Sequence, residues 1–332
     1  MLLGFDIGGT KCAVVLGENV AGELQVVAKT SVPTNKPVYE MIETLYGVAD
    51  ELLSDHHISV EDIDGVGISC GGPLSSKRGI ILSPPNLIGW DNVPIVDMTL
   101  KRFGRKTLLQ NDANAGAIAE WKYGAGKGMN NLIFLTFGTG MGAGLILDGK
   151  LYSGTTDLAG EVGHLRLADL GPVGFGKEGS FEGFCSGGGI AQIAHVKVRK
   201  KLQMGQRVSF CKSVEELSTL DAKVVAEAAY KGDPIAIDIY RTCGHYLGVG
   251  LSLLIDMLNP QIIILGSIYG RAKELLAPAM YEVIDREAID ASRQDCRITS
   301  TGLGEHIGDI AALALAEKVA FETTYSHNGI KL

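Results

Sequence analysis

The sequence predicts a two-domain α/β protein of duplicated design, and three observations carry that prediction. The chain has 332 residues, 46% of them hydrophobic, which is long for one core and comfortable for two. Apolar strand-like runs and stretches with helical spacing are interleaved along it, as in sheets covered by helices. One arrangement also occurs twice: an apolar strand, a Gly/Thr turn and a second apolar strand, near the amino terminus and again at 131–147.

In the first copy, Leu2-Leu3-Gly4-Phe5 leads through Asp6-Ile7 into Gly8-Gly9-Thr10-Lys11, and Cys12-Ala13-Val14-Val15-Leu16 leaves it. Run, glycines and run of this length read as a β-hairpin whose turn is Gly8-Gly9-Thr10. Adjacent glycines allow positive φ and leave backbone N–H groups unobstructed. Such a turn can hold an anion, with Thr10 adding a hydroxyl and Lys11 a charge. Asp6 is then the odd residue, because a carboxylate beside a phosphate is useful mainly through a metal ion. The second copy turns at Gly138-Thr139-Gly140. Two phosphate cradles in one chain suggest a nucleotide clamped between two halves.

Taken in order, 23–32 reads as a strand ending at Pro33, and Pro37 opens a helix. Met41, Ile42, Leu45, Val48, Leu52 and Leu53 form its single apolar stripe. A short buried strand at 63–69 runs into Cys70-Gly71-Gly72-Pro73, a backbone-rich loop at a strand's carboxyl end, where ligands of open α/β sheets bind. Cys70 has no base beside it in the sequence and reads as a structural thiol. Prolines make 83–90 a loop carrying Asn86. A strand at 106–110 delivers Asn111 and Asp112 to the start of a helix over 113–124. Asp112 suits two roles there, an N-cap or a general base held by the sheet. Gly160-Glu161-Val162-Gly163-His164-Leu165 places a histidine in what reads as an apolar strand, structural or site-forming. Ser186-Gly187-Gly188-Gly189 starts a helix whose free N–H groups suit a nucleotide; Lys197 to Lys201 reads as its solvated face. Helices are expected at 217–231, 234–258 and 272–287, strands at 260–267 and 296–301, and a closing helix from Gly308.

With Asn111-Asp112-Ala113-Asn114-Ala115 between the hairpins and Glu161-Val162-Gly163-His164 after them, the chain resembles the ROK (repressor, open reading frame, kinase) family of sugar kinases. The resemblance runs from about Leu2 to the Ala-rich helix near Ala311. It implies the actin-like (ribonuclease H-like) duplicated two-domain ATPase fold. A smaller domain at 1–113, completed by the carboxyl-terminal helix at about 310–332, would join a larger one at 114–309 that carries the sugar-recognition loop. The active site would lie in the cleft between them. It further implies ATP with magnesium against Gly8, Gly9, Thr10, Lys11, Gly138, Thr139 and Gly140, with Asp6 near the metal through water and Gly266 against the adenosine. The sugar would contact Asn86, Asn111, Asp112, Glu161, His164 and Glu182. Asp112 would accept the proton of the acceptor hydroxyl late in a loose transition state. The acceptor expected is the 6-hydroxyl of a hexose, glucose first; an N-acetylhexosamine (N-acetylglucosamine or N-acetylmannosamine) is the alternative, with fructose and allose open. A catalytically silent sugar-sensing or binding protein is the alternative of a different class. A homodimer is expected by analogy with family members.

The chain departs from the family where a zinc knuckle of pattern CxCGxxGCxE follows the histidine. Here Val173, Phe175 and Ser180 occupy the three cysteine positions while Glu182 keeps register. One histidine cannot hold zinc, which takes about four ligands, so no structural zinc is expected and Val173 and Phe175 are expected to pack the loop. Ser267 likewise replaces the second glycine of a Leu-Gly-Gly turn.

Composition narrows the class further. A formal charge of −8 argues against nucleic acid as the main partner; the family's repressors carry a DNA-binding segment ahead of the first hairpin, and none is expected here. The most apolar stretch, 246–258, is too short to cross a bilayer, and the first residues already read as strand, not as a signal segment. Six cysteines scattered without close pairs suggest neither a disulfide framework nor a zinc site of the CxxC kind. The expectation is a reduced, cytoplasmic protein.

Overall fold

The computed structural model describes the chain from Met1 to His327, with side chains as far as Ala320. Two five-stranded sheets organise it. The first runs Glu23–Pro33, Lys11–Val20, Leu2–Ile7, Gly65–Cys70, Thr107–Asn111 in spatial order, and the second Lys150–Leu151, Met141–Leu147, Leu132–Phe137, Ile262–Leu265, Arg297–Ser300. Numbered along the chain within each sheet, both orders are 3-2-1-4-5, so the duplication suggested by the two Gly/Thr turns extends to the whole topology. Each sheet begins as a three-stranded meander, and two later strands join it in parallel.

The chain divides into two compact units. The first takes Met1–Gly128, Gly144–Ala159 and the described residues from Glu305 on; the second takes Met129–Ala143 and Gly160–Gly304. The expected boundary at 113/114 falls inside the helix Asp112–Tyr123, which stays whole within the first unit.

In the first unit, strand alternation sorts residues onto two faces. Leu3, Phe5 and Ile7, with Cys12, Val14 and Leu16 and with Val66, Ile68 and Cys70, join Met41, Ile42, Leu45, Ala49 and Leu53 of the helix Val38–Asp55 in one core. The apolar stripe read from 41–53 is therefore the face it buries. Gly4, Gly17, Gly65 and Gly67 point the other way, toward the helix that begins at Ile307. A Cβ on Gly4 would lie 2.8 Å from Ala312 Cβ, and one on Gly67 only 2.0 Å from the Ala312 carbonyl oxygen. Bare strand positions facing Ala312, Leu313 and Ala316 let helix and sheet approach almost backbone to backbone. Gly67→Ala has no flexible side chain to displace. It is expected to destabilise the fold by about 1–3 kcal/mol, read as a lowered urea midpoint; an unchanged midpoint would refute the close approach.

In the second unit, the helix Pro234–Leu258 follows its sequence-predicted bounds, with Asp233 accepting from the amides of Ile235 and Ala236 and Asn259 closing it in the left-handed region. Gly244 and Gly248, one turn apart, form its contact with the next helix: Cβ atoms there would meet the carbonyl oxygens of Leu276 and Met280 at 2.5 Å. That next helix starts at Ile268, earlier than the periodicity placed it, and bends at Ala272. The single helix expected over 217–231 is two pieces, a 3-10 turn Glu215–Thr219 and a helix Ala222–Tyr230, because the Asp221 carboxylate caps the second at Val224 N. All six cysteines are buried and free. Among the described residues no helix is long and apolar enough to cross a membrane.

Candidate active site

The predicted site residues fall on both units; Asp6, Asn111 and Asp112 lie at the carboxyl ends of strands in the first, and Gly138 and Gly266 follow strand ends at Phe137 and Leu265 in the second. In the first unit Asp6 pairs in register with Ser69, and Ser69 with Gln110; one step on, Ile7, Cys70 and Asn111 align. Asp6 shares the face of Gly4, and a Cβ on Gly308 would lie 2.7 Å from Asp6 Oδ2. Burial, reinforced by the carboxylates of Asp112 and Asp309, pushes the Asp6 carboxyl up to about 6, against the pull of Lys29 and Lys11. Asp309 is itself buried and is held by Lys29 Nζ at 2.6 Å.

At the strand-to-helix junction the N-cap expected of Asp112 is one residue earlier. Asn111 is the N-cap: its Oδ1 accepts from the amides of Ala113 at 2.9 Å and Asn114 at 3.4 Å. Asp112 is the first helical residue, and its Oδ1 accepts from Ala113 N at 2.8 Å. Capping thus falls to Asn111, which spends its acceptor there and leaves Nδ2 beside Gly72, where a Cβ would come within 3.0 Å of it. Gln110 fixes the junction from behind, its Oε1 accepting from Asn111 N at 2.8 Å and Asn114 Nδ2 at 3.2 Å. A polar side chain on a buried strand next to two polar residues was the available signal for Gln110, and sequence reading passed over it.

Asn86 lies exposed on its loop, anchored by buried Leu87 and Trp90, and touches the glycine turn directly. A Cβ on Gly9 would stand 2.5 Å from the Asn86 carbonyl oxygen. Gly8 N donates to Lys11 O at 3.2 Å, closing the hairpin, and Gly9, Thr10 and Lys11 are exposed.

In the second unit, Gly138 N donates to Gly140 O at 3.1 Å and Thr136 Oγ1 accepts from Gly142 N at 2.9 Å, which shapes the second turn. Gly187, first residue of the helix Gly187–Gln203, donates its amide to Gly138 O at 2.8 Å. The turn and a capped helix amino terminus therefore sit together, with Ser186 Oγ taking the Gly189 amide. Gly266 N bonds Leu135 O at 2.9 Å, and Ser267 holds φ of +33°, a left-handed value that a glycine adopts more readily.

Glu182, expected to contact the sugar, accepts at its Oε2 from Met141 N at 3.0 Å and so braces the second turn. Glu161 and His164 flank the 3-10 turn Val162–His164; the strand expected there does not form. Partial desolvation lifts the Glu161 carboxyl above its usual range; His164 draws it down and Glu182 pushes it up. Val173 and Phe175, expected to pack the loop, are exposed instead, by 48% and 59%. The loop is held by polar clasps: Gln192 bonds Val173 N and O at 2.9 Å each, Ser180 Oγ accepts from Gly183 N at 3.1 Å, and Lys177 Nζ donates to His164 O at 2.6 Å. Phe175 sets its ring edge-on to the His164 ring at 5.0 Å. These contacts hold His164 in place. Among the described residues no three His, Cys, Asp or Glu side chains are arranged as a metal cage. A cavity of about 540 Å³ lined by Ser209, Phe210, Glu227, Lys231 and Asp233 contains none of these site residues.

Paired five-stranded sheets of the same strand order, with a glycine turn at the head of each, give the chain the actin-like ATPase fold. The chain matches the ROK family model over residues 2–319, and it belongs to that family. It is 30% identical over 312 residues to a glucokinase of Halalkalibacterium halodurans, covering 93% of this chain and 92% of that one. A crystal structure of a ROK glucokinase from Streptomyces griseus, in complex with glucose and AMPPNP, superposes with a TM-score of 0.76 at 28% identity, covering 96% of this chain and 99% of the other. A xylose repressor of Caldicellulosiruptor bescii is also similar, 25% identical over 315 residues, which cover 95% of this chain and 77% of the repressor.

Proposed function

We propose that the protein is an ATP-dependent sugar kinase that phosphorylates the 6-hydroxyl of a hexose, with glucose the first candidate. The observation that carries this reading is Asp112, fixed at a capped strand-to-helix junction in the same unit as the first glycine turn and electrostatically linked to Asp6. The glucokinase relatives support the substrate class.

ATP with magnesium would supply the transferable phosphoryl group and neutralise its oxygens. The acceptor oxygen forms a bond to the γ-phosphorus while the bond from that phosphorus to the bridging oxygen breaks, and ADP leaves. The acceptor proton passes to the Asp112 carboxylate, which needs no raised pKa because the transfer is late. Asn111 Nδ2 and Asn86 of the first unit would fix neighbouring hydroxyls, so that a sugar lacking one leaves a group unpaired; Glu161 and His164 are the second unit's candidates for sugar contact. Amides of the first glycine turn would hold phosphate oxygens. The donor set at Asp6 fits a cation: its carboxyl is raised partly by neighbouring carboxylates, a repulsion that positive charge relieves. With no protein cage among the described residues, such a magnesium would keep water and phosphate ligands.

A sugar sensor without turnover is the second reading, favoured by the similarity to the xylose repressor. Purified protein with magnesium and ATP, offered hexoses and N-acetylhexosamines at millimolar concentration, is expected to release ADP with glucose and to yield the 6-phosphate by NMR. Release with an N-acetylhexosamine alone would move the acceptor to that class. Thermal shifts with a sugar but no ADP release with any would replace the kinase by the sensor.

A further inference from the structure

Thr34 stands just past the end of the strand Glu23–Pro33 and makes two hydrogen bonds to the first glycine turn. Its Oγ1 donates to the carbonyl oxygen of Gly8 at 2.7 Å, and its backbone amide donates to that of Thr10 at 3.0 Å. The Cys12 thiol approaches the same pair, 3.2 Å from Thr34 Oγ1 and 3.8 Å from Gly8 O. Both anchored carbonyls belong to the peptide units on either side of the Gly9–Thr10 peptide.

In a trans peptide the carbonyl and the following N–H point in opposite directions. Holding the Gly8 oxygen toward Thr34 turns the Gly9 N–H away from it, and holding the Thr10 oxygen does the same for the Lys11 N–H. Glycines alone would let this turn sample many orientations. The clasp removes that freedom, leaving the exposed rim of Gly9, Thr10 and Lys11 with the Gly9 and Lys11 amides already set away from Thr34. A turn preset in this way meets an anion without first spending binding free energy on ordering itself.

We propose that Thr34 is a positioning residue for the phosphate turn, aiming the Gly9 and Lys11 amides at the phosphate oxygens of the nucleotide without touching it. The inference rests on the kinase reading above, since it needs a nucleotide phosphate at this turn. The role belongs to the hydroxyl, because the backbone amide bond survives any side-chain change. Burial pushes the Cys12 thiol above its usual range, so that group stays a neutral, weak donor and cannot replace Thr34.

The test compares wild type with Thr34→Val, Thr34→Ala and Thr34→Ser by calorimetric titration with MgADP, by KM for ATP and for sugar, and by Tm. Valine keeps the shape without the hydroxyl, alanine guards against a steric effect of the second methyl, and serine restores the donor. T34V and T34A are expected to bind MgADP about tenfold more weakly, the scale of one hydrogen bond supporting a charged ligand. KM for ATP should rise by a similar factor while KM for the sugar stays within about twofold, and T34S should return both nucleotide values to within about twofold of wild type. Unchanged MgADP affinity in both T34V and T34A, or a T34S variant as weak as T34A, overturns the inference alone. A wild type that binds no nucleotide overturns the kinase reading and this inference together.

Discussion

Asp112→Asn is expected to lower sugar-dependent ADP release by about 10²–10⁴-fold, the range for loss of a general base, with sugar affinity and Tm near wild type. Asparagine is the informative replacement because of what the junction asks of this side chain. The Asp112 Oδ1 accepts from Ala113 N at 2.8 Å, and the Asn amide oxygen can keep that bond. The N-cap itself is Asn111, so the helix start does not depend on residue 112. What asparagine cannot do is take the acceptor proton. Asp112→Ala removes the acceptor as well and is expected to lose the same activity with a small additional loss of stability. A D112N protein that keeps a tenth or more of wild-type kcat would rule out the base. Loss of sugar binding together with turnover, in a folded D112N protein, would make the residue a sugar anchor.

Much of this arrangement could be read from the sequence, and the parts that could not share a physical cause. Strand–glycine–strand segments declare themselves locally, since a turn with adjacent glycines between β-branched runs has few alternatives. The 3-10 geometry at Val162–His164 was not legible, because one turn of helix is too short to show a period. Nor was the exposure of Val173 and Phe175. Apolar residues usually go inside, but the loop is closed by Lys177, Gln192 and Ser180, and hydrogen bonds between residues up to 19 apart leave no pattern in a single sequence. The same holds for Thr34 and Lys29. They became visible only once register placed Lys29 opposite Val15, on the face where Asp309 lies. Asp6 was picked out by chemistry, but its electrostatics depend on Asp309, 303 positions later in the chain.

Those electrostatics predict that Asp6→Asn stabilises the ligand-free protein at pH 8 while weakening its hold on magnesium nucleotide. The Asp6 carboxyl is pushed from 3.8 to about 6, first by burial and then by Asp112 and Asp309. A group whose folded pKa exceeds its unfolded value holds more protons folded than unfolded between those two pH values. The free energy of unfolding therefore falls as pH rises through that window; the cost is absent below about 4 and fully present above about 6. From the raised value the cost at pH 8 is of order 1–3 kcal/mol. Asparagine carries no charge at any of these pH values, so the D6N advantage should appear as a Tm a few degrees higher at pH 8 and vanish at pH 4. The wild-type Tm should climb on adding MgADP, because the cation relieves the repulsion that Asp6 suffers, whereas D6N should gain much less. A D6N variant less stable than wild type at pH 8, or equally favoured at pH 4 and pH 8, would show that the carboxylate is not under electrostatic strain. A desolvated carboxylate that lowers stability in the absence of ligand, and is relieved when a magnesium nucleotide arrives, accounts for an acidic group beside a turn built to bind anions.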